Sequence, residues 1–215
     1  MVIAVVSVKG GTGKSTVALN LAGTLASRYR RVVVVDADPQ GSIAHWASIR
    51  RQDDPPVLVE TSPLSDESIR TLTLNYDLIL FDSPPTFKKR MKAVIQAADR
   101  LIIPVSPGIA DVWSTQKLLD LYRTEKEKRP RLDARLLISR IDRRTRIGRE
   151  FRATLEKLSI PIFISEIPQR AVYNEAWREG MTVGMLQPHG DGAHDFEKLA
   201  DETIRWLSST WLEKR

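Results

Sequence analysis

Short, uninterrupted apolar runs alternate along the chain with longer segments that carry apolar residues on one helical face. The apolar runs lie at 2–7, 32–36, 77–82, 101–105, 134–139 and 161–165. A strand that is polar on neither face is normally covered on both, so these runs predict a parallel sheet between layers of helices. The predicted helices lie at 15–28, 88–98, 111–127, 147–158 and 194–212, and 57–60 is a candidate edge strand. We therefore expect a single α/β domain over 1–215, doubly wound, with a mostly parallel sheet and helices on both faces.

The composition narrows the class of protein. The chain has 215 residues, of which 42% are hydrophobic and 28% charged, as in an ordinary soluble domain. It has no cysteine, which excludes a disulfide framework, a thiolate zinc site and a cysteine-held iron–sulfur cluster. No apolar run approaches ~18 residues, and the first residues resemble a buried strand rather than a signal peptide. We therefore expect a cytoplasmic protein.

The net charge of +6 is concentrated in one stretch. Between Arg123 and Arg152 the chain has 12 Lys or Arg against 5 Asp or Glu, a local net charge of +7. Such a concentration favours an anionic partner, although charge runs more often form a solvated helix face. The arginines are densest at the end of this stretch, at Arg140, Arg143, Arg144, Arg146, Arg149 and Arg152. A second basic run, at Lys88, Lys89, Arg90 and Lys92, is a weaker candidate for the same surface.

A glycine-rich stretch, KGGTGKST at 9–16, directly follows the first predicted strand and opens the first predicted helix. In that context the glycines let backbone N–H groups converge on phosphate oxygens, and the helix N-terminus adds its dipole. Lys14 should then reach the β- and γ-phosphates, and the hydroxyl of Ser15 should bind Mg²⁺. The predicted phosphate loop consists of Gly10, Gly11, Thr12, Gly13, Lys14, Ser15 and Thr16.

A second lysine, Lys9, precedes the first glycine and makes this loop resemble the deviant Walker A motif of the ParA/MinD family. Three further stretches resemble the same family: VVVVDADPQGS at 32–42, YDLILFDSPP at 76–85 and DRLIIPVSPGIADVWST at 99–115. Two later segments, at 140–150 and 167–183, resemble it more loosely. The resemblance spans nearly the whole chain and is to the short ParA type, which lacks an N-terminal helix-turn-helix.

This resemblance implies a Mg²⁺-dependent ATPase that partitions or positions a plasmid, a chromosome region or another large cargo. It implies a homodimer formed on ATP, in which Lys9 contacts the nucleotide of the other subunit and adds positive charge at the transition state. Asp82 is expected to hold Mg²⁺ through a water. Asp38 is the candidate for positioning the attacking water beside the metal, and Asp36 would support the same region.

Partners also follow from the resemblance. It implies non-specific DNA binding, with association with the nucleoid, and a small partner protein that stimulates hydrolysis. The DNA contacts are expected at Arg143, Arg144, Arg146, Arg149 and Arg152, in the basic stretch.

The adenine contacts depart from the family pattern. Many members place an asparagine at the end of the strand that corresponds to 134–139, but here Ser139 and Arg140 occupy that place. We expect adenine recognition to come instead from stacking on Arg140 and from the backbone near Pro168 and Gln169.

Two alternatives remain open. The first is a membrane-cycling ATPase of the MinD type, since 203–215 has apolar residues at helical spacing; its scarcity of cations favours a helix packed on the sheet. The second is a metabolic or metal-inserting enzyme of the same superfamily. The absence of cysteine and the spacing of His45, His189 and His194 disfavour that class.

Overall fold

A computed structural model describes residues 1–29, 31–50, 55, 57–59, 65–85 and 89–209. Within these residues the strands form one seven-stranded sheet with the order β3-β2-β4-β1-β5-β6-β7, and every strand pairing is parallel. The strands are β1 (Val2–Val5), β2 (Val32–Asp36), β3 (Val57–Val59), β4 (Leu78–Asp82), β5 (Arg100–Val105), β6 (Asp133–Ile141) and β7 (Ile167–Pro168).

Helices cover both faces of this sheet. They are α1 (Lys14–Ala26), α2 (Ser42–Ile49), α3 (Asp66–Asn75), α4 (Lys89–Ala97), α5 (Ile109–Lys128), α6 (Arg146–Glu156), α7 (Ala171–Arg178), α8 (Val183–Leu186) and α9 (Asp191–Ser209). Alternate residues of β1 face opposite layers: Ala4 packs with α3 to α6, and Ile3 packs with α1, α2, α7 and α9. Because both faces of each central strand are buried, the apolar runs of the sequence are continuous. The predicted doubly wound α/β fold is confirmed.

The connections place a crevice at the carboxyl end of β1. The chain leaves β1 toward β2 on one side, and after β4 it crosses to β5 on the other side of β1. In open parallel sheets ligands bind where the winding direction changes in this way. Val5 is in register with Asp82 of β4, which is in turn in register with Asp36 of β2. The loop after β1 and two carboxylates therefore meet at one edge of the sheet.

The strand predicted at 161–165 is wrong. In this segment only Ile162 bridges to the sheet, opposite Leu136, and the seventh strand is Ile167–Pro168. The cause is a long-range contact, since the backbone N–H groups of Ile164 and Ser165 donate to the Glu202 carboxylate at 2.8 and 2.9 Å. The edge strand is confirmed at Val57–Val59, whereas α2, α3, α7 and α8 were not predicted.

The last described helix, α9, packs on the sheet through its apolar face. The indole Nε1 of Trp206 donates to Asp133 Oδ2 at 2.7 Å, and its ring meets that of Phe163 edge-on with the centroids 5.5 Å apart. Leu207 is also buried. The final part of the predicted helix, 210–212, lies outside the described residues. No helix in the described part of the chain is long and apolar enough to cross a membrane.

Candidate functional site

The loop between β1 and α1 depends on two glycines in the left-handed region. Gly11 has φ 80° and Gly13 has φ 89°. A Cβ on Gly13 would also lie only 2.9 Å from Ser139 Oγ, so both the backbone conformation and the space require glycine there. The next residue, Lys14, begins α1 and is buried. Burial lowers the pKa of the Lys14 amino group, and the carboxylates of Asp82 and Asp38 oppose that shift.

A pocket joins this loop to the far end of β6. The sequence-predicted residues Arg140, Pro168 and Gln169 line it together with most of the loop, whereas Lys9, Gly10 and Thr12 lie outside its lining. The lining residues are Gly11, Gly13, Lys14, Ser15, Thr16, Val17, Ser139, Arg140, Ile167, Pro168, Gln169, Arg170, Tyr173 and Asn174. The structure thus places the expected phosphate end and the expected base end of a nucleotide site in one continuous pocket.

Ser15 and Asp82 form the candidate metal site. Ser15 Oγ donates to Asp82 Oδ2 at 2.5 Å, while Asp82 Oδ1 is buried and has no hydrogen-bond partner within the described residues. The pKa of Asp82 is raised to about 7, mainly by burial and further by the charges of Asp36 and Asp38. The hydrogen bond from Ser15 and the charge of Lys14 oppose this shift. An oxygen-seeking cation fits this unpartnered carboxylate oxygen beside a hydroxyl. In the described part of the chain no cluster of three or more Asp, Glu or His could hold a metal ion.

The two aspartates after β2 have different surroundings. Asp36 is buried and accepts hydrogen bonds from the backbone N–H groups of Ala44 at 2.8 Å and Asp38 at 3.1 Å. Burial raises the pKa of Asp36, although these backbone hydrogen bonds lower it. It therefore holds the start of α2. Asp38 is half-buried and accepts a hydrogen bond from the Gln40 N–H at 3.0 Å. Its carboxylate lies close enough to Lys14 and Asp82 to raise the pKa of both groups. Of the two carboxylates, that of Asp38 is the more available for chemistry.

Lys9 lies outside the pocket lining of its own chain and pairs with a residue of α5. Its Nζ lies 2.7 Å from Asp111 Oδ2 in the first turn of α5. The Lys9 side chain is 44% exposed and that of Asp111 only 10%. Ile109 and Trp113 flank Asp111 on the same helix and are 67% and 68% exposed. Sequence reasoning missed Asp111; the signal was an acid at the start of the helix that follows β5, the strand beside β1 and its phosphate loop.

Arg140 closes one side of the pocket from a strained backbone position. Its φ of 56° is in the left-handed region, which is uncommon for a residue with a side chain. The guanidinium donates to the carbonyl oxygen of Gly11 at 2.6 Å and to Oε1 of Gln169 at 2.9 Å. The side chain therefore ties the phosphate loop to the segment after β7.

The arginines predicted to bind DNA fall into two groups. Arg143 and Arg152 both pair with Glu166, with shortest N–O distances of 2.5 and 2.9 Å. The single charge of Glu166 balances one of the two arginine charges, so this group offers less positive charge to an outside partner than two unpaired arginines would.

The second group is more exposed. Arg144 pairs with Asp142 and Arg146 with Glu150, but their side chains are 91% and 83% exposed. Arg149 donates to the carbonyl oxygen of Arg144 at 2.8 Å. This group fits the predicted anion-binding surface better than the first.

A glycine-rich loop that joins a parallel strand to a helix, beside a buried carboxylate that contacts its serine, defines a P-loop nucleotide-binding protein. A family model described as the CobQ/CobB/MinD/ParA nucleotide binding domain matches residues 3–183. The chain belongs to this family, and the resemblance found in the sequence is confirmed.

Named relatives match over almost their whole length. The chain is 30% identical over 207 residues to the maintenance of carboxysome distribution protein A of Halothiobacillus neapolitanus, covering 94% of this chain and 95% of that protein. The protein of the same name from Gloeobacter kilaueensis is 35% identical over 218 residues, covering 95% and 94%. The chromosome-partitioning ATPase Soj of Thermus thermophilus is 29% identical over 238 residues, covering 94% of each.

Solved structures have the same fold. The septum site-determining protein MinD of Pyrococcus horikoshii, complexed with Mg-ADP, superposes with a TM-score of 0.77 at 22% identity and covers 96% of each chain.

Proposed function

We propose that this protein is an ATPase that positions a large cargo by cycling between an ATP-bound dimer on DNA and a released form. Hydrolysis, stimulated by a small partner protein, would end each cycle. Relatives named for carboxysome distribution and for chromosome partitioning support this class of function. The cargo would be a plasmid, a chromosome region or another large assembly.

The observation that carries the proposal is the position of Lys9 outside the pocket lining. A loop needs one lysine for its own nucleotide, and Lys14 begins α1 and lines the pocket. Lys9 stands at the mouth of the same loop but lies outside the pocket lining and reaches Asp111. Because the Lys9 side chain is half-exposed and lies beside the pocket of its own chain, it can reach the nucleotide of a second copy.

The chain's own residues suit phosphoryl transfer to water. Lys14 would bind the β- and γ-phosphates, and Ser15 with Asp82 would hold Mg²⁺, which when bound neutralises phosphate charge. Asp38 would orient the attacking water. Lys9 from the second copy would stabilise the charge that develops on the transferred phosphoryl group. Since each site then needs a residue of the other subunit, hydrolysis depends on the dimer.

The DNA contacts are proposed for Arg144, Arg146 and Arg149. The ion pairs of Arg144 and Arg146 are exposed and contribute at most about 1 kcal/mol each, so DNA phosphates can replace their carboxylate partners. Arg149 donates to a backbone carbonyl oxygen. One copy offers few such contacts, and a dimer doubles them on one rigid body, which makes DNA binding depend on ATP. The membrane-cycling alternative is less well supported because the apolar face of α9, in the part described up to Ser209, packs on the sheet.

The proposal is tested by comparing wild type, Lys9→Ala and the control Lys117→Ala, an exposed lysine of α5. Sedimentation velocity with ATP or ADP reports the dimer, and phosphate release reports hydrolysis. We expect Lys9→Ala to bind nucleotide but hardly to hydrolyse it, while Lys117→Ala behaves as wild type. Full hydrolysis by Lys9→Ala, with partner protein and DNA present, would show that the trans role is wrong.

Two further experiments test the shared site and the binding surface separately. Mixing Lys9→Ala with Asp38→Ala should restore hydrolysis, because a heterodimer contains one site with both Asp38 and the other subunit's Lys9. Co-sedimentation with random-sequence DNA and with anionic liposomes, each with ATP, distinguishes DNA binding from membrane binding. Binding to liposomes but not to DNA would favour the membrane-cycling alternative.

A further inference from the structure

Asp111 is the less exposed member of the Lys9–Asp111 ion pair. Asp111 lies in the first turn of α5, and its carbonyl oxygen accepts hydrogen bonds from the hydroxyls of Ser114 at 2.9 Å and Thr115 at 2.8 Å. Its side chain is 10% exposed, against 44% for Lys9. Because the Asp111 side chain is short and nearly buried, whereas that of Lys9 is long and half-exposed, the lysine side chain is the part of the pair that moves more readily.

Gly108 provides the space for this arrangement. A Cβ at position 108 would lie 2.8 Å from Asp111 Oδ2, closer than such atoms approach. The φ of Gly108 is 178°, an extended conformation that any residue adopts, so the requirement for glycine is one of space. An alanine there would displace the Asp111 carboxylate while leaving its charge on the chain.

Lys9 cannot remain on Asp111 and also reach a nucleotide held by another copy. We propose that Asp111 is a positioning residue that holds Lys9 in the nucleotide-free chain and releases it when two copies join on ATP. This inference rests on the proposed function. Each subunit then breaks one ion pair to form the dimer. A partly exposed pair is worth up to about a factor of five in an equilibrium constant, so the two together weaken the dimer by up to about 25-fold.

The test measures the dimer dissociation constant by sedimentation velocity with a non-hydrolysable ATP analogue. Asp111→Asn should lower this constant by up to about 25-fold, and Gly108→Ala should lower it by a smaller factor. Asp111→Glu, which keeps the charge, should restore a value closer to that of wild type. Asp120→Asn, which removes a carboxylate of α5 that pairs with Arg123, is the matched control and should change nothing.

A double-mutant cycle separates positioning from a structural role. In a Lys9→Ala background, Asp111→Asn should leave the dissociation constant unchanged, because the group it holds is gone. A purely structural Asp111 would change it equally in both backgrounds. An unchanged or raised constant together with a lower kcat would mean that Asp111 orients Lys9 within the dimer, and would overturn the inference. If Lys9→Ala itself hydrolyses ATP as wild type does, the proposed function fails instead.

Discussion

Ser15 and Asp82 are joined by a 2.5 Å hydrogen bond that links the start of α1 to the end of β4. The two residues are 67 positions apart in the chain, and the parallel register of β1 with β4 brings them together. The hydroxyl and the carboxylate that would share a magnesium ion are therefore in direct contact. Binding of the ion would then require a small change of hydrogen bonding and no rearrangement of the sheet.

The contribution of Asp82 to the stability of the metal-free protein should decrease as the pH rises from about 4 through about 7. The pKa of Asp82 is raised from 3.8 to about 7 by burial, so the folded chain keeps a proton that the unfolded chain releases. This stabilisation is complete below about pH 4 and is lost as the pH rises through the folded value. A pKa raised by about three pH units corresponds to about 4 kcal/mol in the free energy of unfolding.

The measurement is the melting temperature of wild type and of Asp82→Asn from pH 4 to 8, without nucleotide or Mg²⁺. An amide does not titrate, so the variant should show the flatter profile. Parallel profiles would show that Asp82 is charged throughout this range.

Replacing Arg140 should separate backbone strain from ligand binding. The left-handed conformation at this position costs about 1 kcal/mol for a residue with a Cβ. Arg140→Gly should therefore be more stable than Arg140→Ala by about that amount, in urea unfolding. Both variants lose the hydrogen bonds to Gly11 and Gln169 and should bind ATP more weakly in calorimetry. Equal stability of the two variants would contradict a strained backbone at position 140. Unchanged ATP affinity would show that Arg140 does not contribute to nucleotide binding.

Arg146 and Arg152 should respond differently in DNA binding. Arg146→Ala removes one phosphate contact from each subunit, which should reduce the slope of log K against log [salt] by about 1.8 per dimer. Arg152 instead donates to the Phe163 carbonyl oxygen and to Glu166. Arg152→Ala should therefore lower the melting temperature and leave the slope unchanged. Fluorescence anisotropy on random-sequence duplexes measures both slopes. Equal slopes for Arg146→Ala and wild type would show that the surface around Arg146 is only a solvated helix face.

The parts of the site that the sequence predicts are those fixed by local geometry. The phosphate loop needs only a strand, glycines and a helix in succession, and Asp82 follows from its place at the end of an apolar run. The contacts of Glu202 with Ile164 and of Glu166 with Arg143 could not be found in this way, because they join residues 38 and 23 positions apart. The first of these contacts turned a predicted strand into an irregular segment. The second reduces the charge that a basic run offers to an outside partner.

The exposed indole of Trp113 gives the protein an intrinsic optical reporter two residues beyond Asp111 in α5. Of the other described tryptophans, Trp46 and Trp206 are buried and Trp177 is half-buried. A water-soluble quencher therefore acts mainly on Trp113 among these indoles, and a second molecule that covers the start of α5 would shield it. Association at this place can be followed in unlabelled protein, in real time, from the loss of quenching.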